Sequence, residues 1–145
     1  METQKIDVAI GRQYVEKVIP LIDSAKRSIH ILVFDWRWYE DQIGSSVQRF
    51  NNSIVRAHQR GVDVRATVYK GNAFSALQSV RIKARKLLSS YILHVKLIII
   101  DSNIVIMGSH NFTKNAFDLN YEASAIIHDS LIAEKFLLEF NDFFV

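Results

Sequence analysis

Cysteine is absent from the 145 residues, which excludes disulfides, thiolate metal sites and a cysteine nucleophile, and suits a reducing compartment. Proline occurs once, at Pro20, and glycine five times, so no flexible Pro/Gly-rich linker divides the chain. It reads as one domain over residues 1–145. No apolar run approaches the roughly 18 residues of a membrane span. Glu2, Gln4, Lys5 and Asp7 leave no room for an apolar secretory segment at the start. These absences lead to the expectation of a cytoplasmic protein with no stable membrane anchor. Acidic residues are also missing locally: between Val64 and Ile100 there are seven Lys/Arg and no Asp or Glu, whereas from Asn115 onward one lysine faces six acids. A net charge of only +3 thus hides a polarised chain, and the basic block suits a polyanion such as nucleic acid.

With 49% hydrophobic residues, the chain can bury a sizeable core. Ile6 to Ile10 alternates weakly as a first strand. A helical pattern follows through Val15, Val18, Ile19, Ile22 and Ala25, and Pro20 within it predicts a kink or a late start. Ser28 to Phe34 reads as a strand. Trp36, Arg37 and Trp38 at its end are read first as packing residues, with stacking on bases or a dimer contact as alternatives. An amphipathic helix from Ser45 to Arg60 ends at Gly61, and Val62 to Tyr69 is the next strand. Gly71 and Asn72 open a third helix through Phe74, Leu77, Val80 and Leu87. That helix is expected to carry Arg81, Lys83, Arg85 and Lys86 outward, either as a substrate-binding surface or as a solvated face. Ala123 to Ile127 forms a strand, and a closing helix from Ser130 buries Leu131, Phe136, Leu137, Phe140 and Phe144.

The most informative stretch is residues 94–111, His-Val-Lys followed by Leu97 to Ile100, a polar turn at Asp101, Ser102 and Asn103, and a second β-branched run from Ile104 to Met107. This reads as a hairpin. Side chains two apart on a strand share a face roughly 6.6 Å apart, which lets His94 and Lys96 grip one tetrahedral anion. The return strand ends in Gly108, Ser109, His110 and Asn111. Ser109 and Asn111 offer a hydroxyl and an amide to phosphate oxygens, and Gly108 leaves room for close approach of a ligand. Helices alternating with strands around an antiparallel hairpin give an α/β layered domain with a mixed central β-sheet flanked by helices.

His94, Lys96 and Asp101 fit H-x-K-x4-D, and Gly108, Ser109 and Asn111 fit G-S-x-N six residues later. Together they resemble the signature of the phospholipase D superfamily, in particular its small single-motif endonucleases. Ala57, Arg60, Gly61, Val62 and Val64 resemble a second, weaker passage of the same superfamily. The resemblance covers nearly the whole chain. It implies a phospholipase D-like fold and a metal-independent, cofactor-free phosphodiesterase acting through a phosphohistidine, with His94, Lys96, Ser109 and Asn111 as catalytic residues. Glu122 resembles the family's acidic residue that orients the histidine. Asp101 completes the motif, but it lies an odd number of positions from His94, so its expected role is structural, pairing with a base or bonding turn amides.

In-line displacement at phosphorus needs an attacking group and a proton donor on opposite sides, and one strand cannot reach both. The chain contains no internal repeat that could supply a second motif. A homodimer whose two-fold axis passes near the phosphorus would supply the second His94. The other histidines, His30, His58, His110 and His128, are read as packed or solvated, with spacings that suit no zinc site. The leading expectation is an endonuclease acting on DNA, or on RNA. A phospholipid hydrolase of the same superfamily and a non-catalytic nucleic-acid-binding module are the alternatives.

Overall fold

The computed structural model describes residues 5–144, so Glu2 and Gln4, which bear on the absence of a leader, lie outside the described residues. In chain order the elements are β1 (Ile6–Ile10), α1 (Gln13–Asp23), β2 (Ser28–Asp35), α2 (Ser46–Gln59), β3 (Asp63–Lys70), α3 (Ala73–Ser79), β4 (Lys83–Lys86), β5 (Lys96–Ile100), β6 (Ile104–Gly108), a π-helical turn (Asn115–Leu119), β7 (Ala123–His128) and α4 (Ser130–Phe143). The strands form one sheet in the order β1-β7-β6-β5-β2-β3-β4. β2, β3 and β4 run parallel through helical crossovers, while β5, β6, β7 and β1 add on antiparallel. The mixed α/β sheet expected from the sequence is therefore present.

Alternation sorts the side chains of each strand between two cores. On one face Ile29, Ile31, Val33, Val64, Ala66, Val68, Ile98 and Ile100 meet Val15, Val18 and Ile22 of α1 and Val47, Phe50, Ile54 and Ala57 of α2. On the other face Leu32, Leu97, Ile99 and Val105 meet Ala133 and Phe140 of α4. β5 is covered on both sides, which is why its sequence is continuously apolar rather than alternating. α2 starts on Ser45, whose hydroxyl accepts the Gln48 N–H, and α4 on Asp129, whose carboxylate accepts the N–H groups of Leu131 and Ile132.

Three expectations need correction. α1 begins at Gln13, so the late start is ruled out, and it continues past Pro20, whose ring lies on the exposed side, where water can reach the carbonyl left without a donor. Leu131 is exposed because it lies about half a turn around α4 from the buried Phe140, on the face away from the sheet. The third helix stops at Ser79: Arg81 takes a left-handed φ of 67°, and Ile82 and Ala84 then alternate into the core as β4 pairs with β3. The basic cluster therefore lies along an edge strand, not on a helix.

The far end of the hairpin is fastened by Asp101. Its carboxylate accepts the backbone N–H groups of Lys26 (3.0 Å), Arg27 (2.7 Å) and Ser28 (3.0 Å) at the start of β2, and its own N–H donates to the Ser28 carbonyl. Burial alone would raise this carboxyl, but those N–H groups and the charge of Arg27 hold it below the usual 3.8. A carboxyl depressed in the folded state adds stability that is present above its unfolded value and is lost as pH falls through the folded one. Asp101→Ala is expected to cost about 2–3 kcal/mol in urea unfolding at pH 7. The deficit should shrink as the pH is taken below about 4.

Candidate active site

The strand directions bring seven termini to one end of the sheet: the C-terminal ends of β1, β2, β3, β4 and β6 and the N-terminal ends of β5 and β7. Ligands of open α/β sheets gather at such an end. Here it collects Phe34 and Asp35 from β2, His94 and Lys96 from the approach to β5, Ser109 and Asn111 after β6, and Glu122 before β7.

His94 sits two residues ahead of β5 rather than within it, so ideal strand spacing does not govern the pair. The Lys96 ammonium instead folds against the imidazole, 3.1 Å from Nδ1 and 3.4 Å from Nε2, and donates to the His94 carbonyl at 2.8 Å. The Phe34 ring backs both groups: its centroid lies 4.7 Å from that of His94, with Lys96 Nζ 5.6 Å away, and Tyr69 stacks on it at 5.5 Å. Burial lowers the Lys96 pKa from 10.5 against the raising charge of Glu122. For Glu122, burial pushes the carboxyl up, but hydrogen bonds from Ser109 and Asn120, and then attraction to His110 and Lys96, more than offset it, so it stays below 4.5. An ammonium and a carboxylate thus share the pocket around an exposed imidazole.

The Asn111 carboxamide oxygen accepts the Asp35 N–H at 3.2 Å, which leaves its NH2 to donate into the site. The Ser109 oxygen accepts the Ala123 N–H at 3.0 Å, so this hydroxyl splices β6 to β7 as well as facing Glu122. Between them His110 is fully buried, with Nε2 2.9 Å from the Gly11 carbonyl and Nδ1 2.8 Å from Ser124 Oγ, and its ring packs 4.5 Å from Tyr14. A carbonyl only accepts, so Nε2 carries the proton. Burial lowers this histidine's pKa, in keeping with a neutral ring. His110 is the packed residue expected from parity, and it pins the turn that presents Ser109 and Asn111. Gly108 serves packing, not a ligand: a Cβ there would strike the backbone of Ala123 and Ser124 in β7.

Several expected site residues lie elsewhere. Asp101 is at the opposite end of β5, bonded to backbone amides, and takes no part in the site. Trp36 is fully buried, with its indole N–H on Asn51 at 2.7 Å, so it cannot stack on a substrate. Arg81 and Lys83 stand at the far end of β4, where Lys83 pairs with Asp63 at 3.6 Å. Arg85 lies over the Phe144 ring at 4.8 Å. Of this group Lys86, roughly 10 Å along the strand from Lys83, is nearest the site end. Arg37 reaches the site end, paired with Asp35 at 2.8 Å. Phe34 and Asp35 were not anticipated; their one signal is their place at the C-terminal end of a parallel strand. Among the described residues, no group of three or more His, Cys, Asp or Glu is placed to hold a metal ion, and no helix is long and apolar enough to cross a membrane.

Residues 18–144 match the family described as cardiolipin synthase, PLD-like domain. The chain belongs to this phospholipase D-like family. Among its relatives, the phospholipase D of Rickettsia prowazekii is 32% identical over 126 residues, 83% of this chain and 57% of that one. The mitochondrial cardiolipin hydrolase of Xenopus tropicalis is 27% identical over 131 residues, 86% and 58% of the two chains. The chain thus spans less than two thirds of the length of these curated relatives. Among solved structures, the phospholipase D family member NUC from Salmonella typhimurium superposes with a TM-score of 0.79 at 30% identity, covering 95% of this chain and 93% of that one. NucT from Helicobacter pylori shares the fold with a TM-score of 0.75 at 22% identity, covering 95% of each chain. In this phospholipase D-like chain, coupling between Glu122 and Lys96 is directly testable. Glu122→Gln removes the charge that raises the lysine, so the Lys96 pKa is expected to fall further, followed by NMR titration of Nζ. An unchanged lysine titration would separate the two groups.

Proposed function

We propose that this protein is a metal-independent phosphodiesterase that cleaves nucleic acid, DNA foremost, through a phosphohistidine in a site shared by two copies of the chain. The observation that carries the reading is a single exposed imidazole beside an ammonium and an amide donor at an open end of the sheet. Among the described residues the site end holds no second exposed imidazole, because His110 is buried. A ring nitrogen of one His94 attacks phosphorus, forming a P–N bond as the P–O bond to the leaving group breaks, and the second copy's His94 delivers the proton to that oxygen. The same ring then takes a proton from water, which attacks phosphorus, breaks the P–N bond and leaves a phosphomonoester. Lys96 and the Asn111 NH2, from both copies, neutralise the non-bridging oxygens, supplying the charge stabilisation for which other phosphodiesterases use a metal ion. Glu122 sustains the charge on Lys96 and, by the resemblance, orients the histidine.

Exposed apolar side chains support a subunit seam at this end. Leu88, Ile92 and Val95 precede or flank His94, and Leu119 and Tyr121 precede Glu122; Leu88 and Tyr121 are 88% and 89% exposed. A two-fold axis through the site would bury them. The near-complete overlap with NUC fits the small single-motif group, in which one chain supplies one motif. The same apolar rim also favours a second reading, hydrolysis of phospholipid at a membrane surface, in line with the names of the curated relatives.

The test is a panel of bis-p-nitrophenyl phosphate, labelled single- and double-stranded DNA and RNA, and phosphatidyl lipids including cardiolipin, all in excess EDTA. Nucleic acid cleavage is expected to persist, and His94→Ala to lower it by about 10³-fold or more. Loss of cleavage on chelation, or turnover confined to lipids, would contradict the proposal.

A further inference from the structure

The mechanism accounts for one phosphate, yet the same end of the sheet carries a second, built depression of about 410 Å³ beside it, lined by Asp35, Arg37, Tyr39, Lys114 and Asn115 among others. The two share a peptide. The Asp35 N–H holds the Asn111 carboxamide of the catalytic site, and the Asp35 side chain lines the depression. Its walls are fixed in advance. The Asn72 side chain bonds both the N–H (2.7 Å) and the carbonyl (2.9 Å) of Trp38, and the Tyr39 N–H donates to Gln48 at 2.9 Å. Gly71 allows this close approach, since a Cβ there would strike the Trp36 carbonyl and the Asp35 carboxylate.

The chemistry of the walls selects the occupant. Two cations of the lining, Arg37 and Lys114, face the single Asp35 carboxylate: Arg37 pairs with it at 2.8 Å, Lys70 reaches it at 3.9 Å from outside the depression, and Lys114 has no ion-pair partner among the described residues. Positive charge therefore exceeds negative. Glu40 belongs to a neighbouring depression with Trp38 and Ser75. Amides, cations and one half-buried tyrosine ring give an acyl chain little apolar surface, whereas a phosphate, a sugar and a base edge all find partners. The volume also falls in the range of small-ligand sites, about 300–1,000 Å³.

We infer that this depression is a nucleotide subsite that seats the residue flanking the scissile phosphate, with Lys114 and Arg37 on its phosphate and the Tyr39 ring against its base. The inference rests on the nuclease reading above and deepens it by assigning substrate recognition to residues outside the motif. It also gives Arg37 a role that its pairing with Asp35 alone does not.

The test compares kcat/KM on a single-stranded oligonucleotide with kcat/KM on bis-p-nitrophenyl phosphate, which has no flanking nucleotide. In Lys114→Ala and in Tyr39→Leu the oligonucleotide-to-small-ester ratio is expected to fall by about tenfold, chiefly through KM for the oligonucleotide. Lys114→Arg and Tyr39→Phe, which keep the charge and the ring, are expected to restore it. An unchanged ratio in both Lys114→Ala and Tyr39→Leu would overturn the subsite while the nuclease reading stood. Wild-type protein that hydrolyses the small ester and lipids but no nucleic acid would overturn that reading, and the subsite with it.

Discussion

Where Lys96 stands is decided by the register of β5 against β2, and that register is fixed at its other end by one carboxylate. Asp101 gathers the N–H groups of Lys26, Arg27 and Ser28, so that Ile100 pairs with Ile29 and, four residues on, Lys96 pairs with Val33. A slip of one residue would turn Lys96 to the other face of the sheet and would force Ile98 and Ile100 out of their core. Packing on both faces of β5 opposes the same slip. The spacing from His94 to Asp101 is in this sense mechanical: the motif's acid acts at a distance, through a strand, on the position of its lysine.

At the site end the constraint is electrostatic. Removing Lys96 from water disfavours its charge, and Glu122 restores part of it, while Ser109 and Asn120 keep Glu122 ionised in turn. Phe34 contributes an apolar wall that limits where the imidazole and ammonium can move. The result is a hydrogen-bond-donating floor, an ammonium held charged by a neighbouring carboxylate, with one imidazole beside it. Such a floor suits the spread negative charge of a phosphoryl transition state, and the lone imidazole makes a second copy a chemical necessity of the proposed two-step reaction.

Much of this was legible in the sequence because the determining patterns are local. The β-branched run after Lys96, the polar turn at Asp101 to Asn103 and the return run to Gly108 define the hairpin within fifteen residues. The position of Asp101 in the polar turn, at the other end of a five-residue strand from Lys96, places it outside the site. β4 was not legible, since Val80 and Leu87 continue a helical period that only the left-handed backbone of Arg81 interrupts. Trp36, read first as a packing residue, is one, but nothing nearby in sequence announces Asn51, fifteen residues away, as the partner of its indole N–H. The depression beside Asp35 joins the ends of β2 and β3 to the loop after β6, and such a meeting is a product of strand order, which no local pattern encodes.

Two imidazoles acting on one phosphorus atom is the central claim, and the most direct measurement of it is covalent. Protein mixed with an excess of a diester labelled at the phosphorus atom, quenched within a single turnover and mapped by mass spectrometry, should carry on His94 an acid-labile, alkali-stable P–N adduct that retains the second ester group. Its expected stoichiometry is one label per pair of chains. A label on any other residue, no covalent label despite turnover, or full labelling of a chain that stays monomeric in solution would contradict it.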